Sequence, residues 1–303
     1  MPGRLSLYDQ VAQEAADVVV RRYSTSFGLA TRVLAPACRT EIRNVYALVR
    51  LADEVVDGAA AEAGGDAGAP DALLTALEDA TAEAIRTGYS TNLLVHAFAG
   101  TARRAGIGED LVTPFFASMR MDLTARVHDE DSLRRYIYGS AEVVGLMCLR
   151  VFLLDLPAAE RDSTYARLRP GAQALGAAFQ KINFLRDLAD DSDRLGRSYF
   201  VGVDPQHLTE MQKGAIVADI RADLRCAGEA LRELPGSCRR AVGLAYGLFA
   251  ELTERLERTP AADLSHLRIS VPTLVKARIA AQAVGPSRAR RGAVGEPAPA
   301  GAR

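Results

Sequence analysis

Apolar residues recur at helical spacing along most of the chain. Leu7, Val11, Ala15, Val18 and Val19 mark a helix over 5–22, and the hydroxyl-rich run Tyr23-Ser24-Thr25-Ser26-Phe27 interrupts it. Ile42, Val45, Leu48, Val49 and Ala52 give a second helix over 39–57, with Gly58 placed to stop it. The Ala, Gly and acid run from Gly58 to Pro70 reads as a mobile surface loop. Helical patterns resume over 71–87, 91–105 and 109–125, punctuated by Gly88, Gly106 and Gly108. A long apolar helix is predicted over 131–153, followed by a Pro-acid turn at 155–160 and a helix that begins near Gly171. Asp193 to Pro205 reads as a polar loop, and further helices are expected over 209–233, 237–257 and 271–283. No period of 20–50 residues repeats.

The fold class that follows is all-α, because β-branched alternation is scarce and Ala and Leu are abundant. The 303 residues divide into one helical domain, 1–284, and a Pro/Gly/Arg tail, 285–303, that has no apolar face to bury and is expected to be disordered. A net charge of −1 argues against nucleic-acid binding by bulk charge. Cys38, Cys148, Cys226 and Cys238 form no CxxC pair and no zinc spacing, so they are expected as free thiols in a reducing cytosol. No signal-peptide pattern opens the chain. The most apolar stretch, Val143 to Pro157, contains Arg150 and falls short of the roughly 20 residues a membrane helix needs.

Two helices end in acid. On a helical wheel Gln180, Asn183, Asp187 and Asp191 fall within about 80°, and Tyr46, Arg50, Asp53 and Asp57 within about 60°. Each pair of aspartates continues an apolar helix, and Asp near a helix C-terminus opposes the macrodipole at about 0.3–1 kcal/mol. A solvated helix end is the plain alternative for either motif alone. Two such helices facing each other would gather four carboxylates, a donor set without histidine. That set suits Mg²⁺, with Mn²⁺ as a substitute, bridged to a diphosphate. A ferritin-like di-iron site would need Glu-x-x-His, and the residues three before His96, His128, His207 and His266 are Leu93, Ala125, Asp204 and Asp263. A calcium loop read from Asp191 fails at Leu195 and Gly202.

The residues quoted so far, taken in order, resemble the phytoene/squalene synthases, head-to-head prenyltransferases of the class I isoprenoid synthase fold, and are most similar to the actinobacterial phytoene synthases. The resemblance is carried by Tyr23 to Phe27, by Asn44 to Asp57, by Met121-Asp122-Leu123 with Tyr136 to Gly145, and by Asn183 to Asp191 with Gly196-Arg197-Ser198-Tyr199. The segment from Asp191 to Tyr199 is one residue longer than the usual pattern.

The resemblance implies a helical bundle with a central cavity, acting on prenyl diphosphates in carotenoid and isoprenoid biosynthesis. Asp53, Asp57, Asp187 and Asp191 would hold Mg²⁺ with help from Asn183. Ser24, Ser26, Arg50 and Arg197 would hold diphosphate, with a helix cap or a local salt bridge as the alternative for each. Gln180 would face the reacting region, or make a helix–helix hydrogen bond. Phe27, Tyr46, Tyr138 and Tyr199 would line the site, where an aromatic face can stabilise a carbocation and an ordinary core position is the alternative. The small residues Gly139, Ser140, Ala141, Gly145, Ala172, Ala174, Gly176, Ala177 and Ala178 either allow close helix packing or leave room for two prenyl tails. The expected reaction joins two geranylgeranyl diphosphates through a cyclopropyl diphosphate to phytoene, without NADPH. The alternative is a squalene or dehydrosqualene synthase using farnesyl diphosphate. A terpene cyclase would need a Ser and a Glu that Asn183 to Asp190 lacks, and a non-catalytic acidic scaffold is the rival of another class. The location is expected to be cytoplasmic, with peripheral membrane contact and oligomeric state left open.

Overall fold

The computed structural model describes residues 3–24, 26–63, 68–125, 127–188 and 197–284, and only the backbone of residues 26, 27, 61 and 284. The expected tail 285–303 lies outside the described residues, as does Asp191. Helix α1 (Arg4–Tyr23) is followed by the short α2 (Ser26–Thr31) and by α3 (Pro36–Asp57), which starts at Pro36 and stops at Gly58. The loop expected from Gly58 to Pro70 holds a short helix, α4 (Ala59–Glu62), before α5 (Ala69–Thr87). The Asn92 side chain caps α6 (Leu93–Ala105), and Gly88 and Gly106 end α5 and α6 at positive φ. Helix α7 (Glu109–Thr124) then leads into the centre of the bundle.

Helix α8 (Glu130–Ile137) continues through a π turn at Tyr138–Glu142 into α9 (Val143–Phe152) and a short 3₁₀ turn. The whole stretch, Glu130–Asp155, has 26 residues and is long and apolar enough to cross a membrane by length and composition. This corrects the expectation of a segment too short to span, which considered Val143 to Pro157 apart from the helical residues that precede it. Half of its most apolar window is buried inside the bundle, where it packs on α3, α7 and the following helix.

That helix, α10 (Ala158–Arg186), starts well before Gly171 and carries Pro170 in its interior. Proline there forfeits one backbone hydrogen bond, but packing along α11 (Glu210–Leu231) and α9 holds the helix through it. Its C-terminal end is Arg186, with Asp187 as the cap, so Asp187 sits at the mouth of the helix rather than within it. Helices α12 (Gly236–Arg258), α13 (Ala261–Leu264) and α14 (Thr273–Val284) complete the bundle. The main core joins α3, α5, α6, α7, α9 and α12 around Phe98, Phe115 and Phe116, and a second cluster joins α10, α11 and α12. Among the described residues no strand forms; one parallel bridge links Val127 to Ser198. All four cysteines are free thiols.

The glycines on α9, α10 and the π turn settle their own role. A Cβ on Gly139 would lie 2.2 Å from the Pro114 carbonyl, on Gly145 2.6 Å from that of Ala172, and on Gly176 2.5 Å from that of Ala141. These three positions are small so that backbones can touch.

Candidate active site

The acidic end of α3 meets α7 at a polar region built on a buried aspartate. Asp122 of α7 is 5% exposed, and so is Arg197. The Tyr136 hydroxyl donates to Asp122 Oδ2 at 2.9 Å, and the Tyr199 hydroxyl lies 3.5 Å from Oδ1. Arg197 Nη2 donates to the Asp122 backbone carbonyl at 2.8 Å, and Nη1 to Asp57 Oδ1 at 2.7 Å. Tyr199 stacks on Phe184 at 4.0 Å, on Tyr136 at 5.4 Å and on His128 at 5.8 Å between ring centres. Phe184 belongs to α10, so this aromatic stack fixes the segment that carries Arg197 against both α8 and α10.

Electrostatics follow from burial. Desolvation pushes the Asp122 carboxyl up to about 7, against the pull of Arg197 and with a push from Asp57. Desolvation also raises Asp53 to about 7, with Arg50 pulling down and Asp57, Asp122 and Glu54 pushing up. Burial depresses His128 below the usual imidazole range. Three carboxylates on α3 and α7 are therefore close enough to disfavour one another's charge, which is the demand that a bound cation would relieve.

The other site residues predicted from sequence take the following places. Arg50 forms a salt bridge with Glu54 and stacks 4.5 Å above the Tyr23 ring. Ser24 Oγ accepts from the Gly28 amide at 3.2 Å and also bonds the half-buried Tyr46. Ser24 is thus a helix cap in this state. Ser26 and Phe27 have side chains outside the described residues. Tyr138 opens the π turn and packs, half-buried, on the main core. Gln180 and Asn183 are half-buried on the last turns of α10. Asp187 is paired with Arg186 and, at 2.8 Å, with Arg268 Nε.

Among the described residues no group of three or more acidic, His or Cys side chains is gathered around one point; Asp191 lies outside them. The unpaired atoms show what the region could accept. Asn183 Oδ1 is buried without a hydrogen-bond partner, an orphan acceptor one turn before Asp187. Arg50 Nε and Arg197 Nε are buried donors without partners. Buried polar groups are normally satisfied. An orphan oxygen one turn from a carboxylate fits a hard cation, and orphan guanidinium donors fit an anion. A divalent cation and a diphosphate together match this donor set.

Sequence reasoning passed over Asp122, Tyr136, His128, Arg186 and Arg268 as site residues. Asp122 carried a signal, since it falls on the helix face of Phe115, Ser118 and Met119, all buried. Arg268 carried none; it lies in a non-helical stretch between α13 and α14.

The helical bundle has the class I isoprenoid synthase fold, as two superpositions show. A crystal structure of a dehydrosqualene synthase in complex with ligand superposes with a TM-score of 0.74 at 19% identity, covering 91% of this chain and 96% of that one. The squalene synthase HpnC from Alicyclobacillus acidocaldarius superposes with a TM-score of 0.67 at 19% identity, covering 84% of this chain and 97% of that one. The squalene/phytoene synthase family pattern matches residues 20–275, and the chain belongs to that family. Phytoene synthase of Pseudescherichia vulneris is 30% identical over 250 residues, 76% of this chain and 77% of its own length. Phytoene synthase 3, chloroplastic, of Zea mays is 30% identical over 255 residues, 79% of this chain. The chain spans 58% of the length of that maize protein and 45% of the Arabidopsis thaliana phytoene synthase 1.

Proposed function

We propose that the chain is a prenyltransferase, a phytoene synthase that joins two geranylgeranyl diphosphates head to head through a cyclopropyl diphosphate, without NADPH. One observation carries the reading: sequence relatives spread from plants to bacteria, about 30% identical across most of the chain, are phytoene synthases. The squalene and dehydrosqualene synthases resemble it at the level of the fold.

Asp53 and Asp57 on one side and Asp187, Asp191 and Asn183 on the other would hold Mg²⁺ or Mn²⁺. Once bound, the ions neutralise the diphosphate leaving groups, which is what an allylic C–O bond needs in order to break. Arg50 and Arg197 each bring a buried, unspent N–H toward diphosphate oxygen, and Ser24 and Ser26 supply hydroxyls. Gln180, Tyr46 and Tyr138 would face the reacting carbons, the role also expected of Phe27, while Tyr199 would act from within the aromatic stack beside Arg197, and the apolar bundle would keep water from the cations. A tyrosine oxygen or the released diphosphate accepts the proton. A cytoplasmic location goes with this reading, with membrane contact left open.

The test is to incubate the purified protein with Mg²⁺ and either geranylgeranyl or farnesyl diphosphate, with and without NADPH, and to weigh the hydrocarbon. A C40 product without NADPH is expected. A C30 product would replace the substrate assignment with farnesyl diphosphate, and no product under any condition would leave a non-catalytic scaffold.

A further inference from the structure

Arg197 stands where a cation would stand. Its guanidinium lies against Asp57, 2.7 Å from Oδ1, and 3.6 Å from the Asp122 carboxylate. It is 5% exposed, whereas Asp57 is 42% exposed. The arginine is therefore rooted in the protein and the aspartate is open to solvent. The root is Asp122: its carbonyl takes Nη2 at 2.8 Å, and its carboxylate is held by Tyr136 and Tyr199. Nε remains buried with no acceptor.

We propose that Asp122 is a positioning residue that aims Arg197 at Asp57, and that Arg197 is the resident cation of the first acidic motif until a diphosphate draws it away. The inference rests on the metal-and-diphosphate reading above and adds the order of events to it. A guanidinium does not lose its proton in a protein, so Arg197 cannot vacate Asp57 by titration. It leaves only for a stronger anion. A diphosphate carries more charge than one carboxylate and offers several oxygens to a planar fork. Turning Arg197 toward diphosphate frees Asp57 for a divalent ion. Diphosphate and metal then bind with positive coupling, and the coupling is reciprocal. The free protein should hold divalent ions weakly, because one of its carboxylates is already neutralised.

Mn²⁺ alone serves as the probe, titrated into the metal-free protein and read from the electron paramagnetic resonance signal of the free ion. Arg197→Gln is expected to bind Mn²⁺ about tenfold more tightly than the wild type, the low end of ordinary coupling. Adding Asp57→Asn to that variant should cancel the gain. Asp122→Asn should tighten Mn²⁺ binding by about threefold when Arg197 is present and give no gain in the Arg197→Gln background. A general loss of structure would weaken metal binding, so a gain separates positioning from mere support. Should Arg197→Gln fail to fold because Asp122 is left charged and unpaired, the Asp122→Asn/Arg197→Gln double variant carries the same comparison. Unchanged or weaker Mn²⁺ binding in the folded Arg197→Gln variant overturns the proposal, as does a gain from Asp122→Asn that persists without Arg197. The hydrocarbon assay fails independently: no product with a tenfold gain in Mn²⁺ affinity would sink the synthase reading and leave this one standing.

Discussion

Gly145→Ala and Gly176→Ala test whether the small residues between α9 and α10 are there for contact. At Gly145 a Cβ would come within 2.6 Å of the Ala172 carbonyl oxygen, and at Gly176 within 2.5 Å of that of Ala141. Van der Waals contact begins at about 3.5 Å, so each methyl is up to about 1 Å too close. In both cases the obstacle is backbone, which cannot swing aside as a side-chain tip can. Overpacking of this kind costs about 1–3 kcal/mol. Alanine returns about 0.5–1 kcal/mol through helix propensity, leaving a net loss of about 1–2 kcal/mol per substitution. For a domain of this size each kcal/mol shifts the melting temperature by slightly less than about 2 °C, so each variant should melt about 2–3 °C below the wild type. The two glycines contact each other's segments across one interface. A helix pair already parted by one methyl should admit the second more cheaply, and the double variant should lose less than the sum. Gly214→Ala is the control: Gly214 lies inside α11 with nothing within 4 Å of a Cβ, and it should gain about 0.4–1 kcal/mol. Thermal unfolding followed by circular dichroism measures all four. Wild-type stability in Gly145→Ala or Gly176→Ala would refute the contact argument and return these positions to lining for the prenyl tails, and strictly additive losses would refute the shared interface.

Three further outcomes are expected. Asp187→Asn should cut turnover by about 10² or more under saturating Mg²⁺, measured as hydrocarbon formed, if its charge serves the metal cluster. Asp122 makes stability depend on pH. Its folded carboxyl titrates at about 7, against an ordinary value of 3.8. The folded state therefore holds a proton that the unfolded chain has lost, and this contribution is full below about pH 4 and fades as pH rises through about 7. Melting temperatures in metal-free buffer should fall between pH 4.5 and 7.5, and Asp122→Asn should flatten that fall. Lys213, 5% exposed, donates to the carbonyls of Glu257 at 3.1 Å and Thr259 at 2.6 Å. Lys213→Met should lower stability by about 1–3 kcal/mol by leaving the end of α12 unpaired, with KM unchanged in the hydrocarbon assay.

The helices were legible wherever apolar spacing was unbroken, and the errors fell where a local signal contradicted packing. Pro170 reads as a boundary, yet α10 passes through it because neighbouring helices hold both halves. Gly58 to Pro70 reads as loop, yet three alanines and a glutamate close one helical turn within it. In the site, the acidic motifs were visible because carboxylates following apolar faces are costly without a reason. Their counterions were not, because pairing between Asp57 and Arg197, 140 residues apart, or between Asp187 and Arg268, leaves no periodic trace. Asp122 lay between these cases. Its burial was implied by its helix face, but its partners came from α8 and from the segment after α10.

The placement of Asp187 shows why those counterions matter. A carboxylate at the C-terminal cap of a 29-residue helix faces the negative end of the helix dipole. It is stable there only beside positive charge, and the protein supplies Arg186 and Arg268. The first motif is treated alike, with Arg197 on Asp57 and Arg50 acting on Asp53. Both acidic motifs are thus sites of positive charge by construction, filled by the chain's own arginines. Two of those arginines, Arg50 and Arg197, keep a buried N–H without an acceptor. In the exchange proposed above, guanidinium would move from carboxylate to diphosphate as metal took its place, and every charge would stay paired. The exchange would therefore avoid the desolvation penalty that an exposed intermediate with bare buried carboxylates would incur.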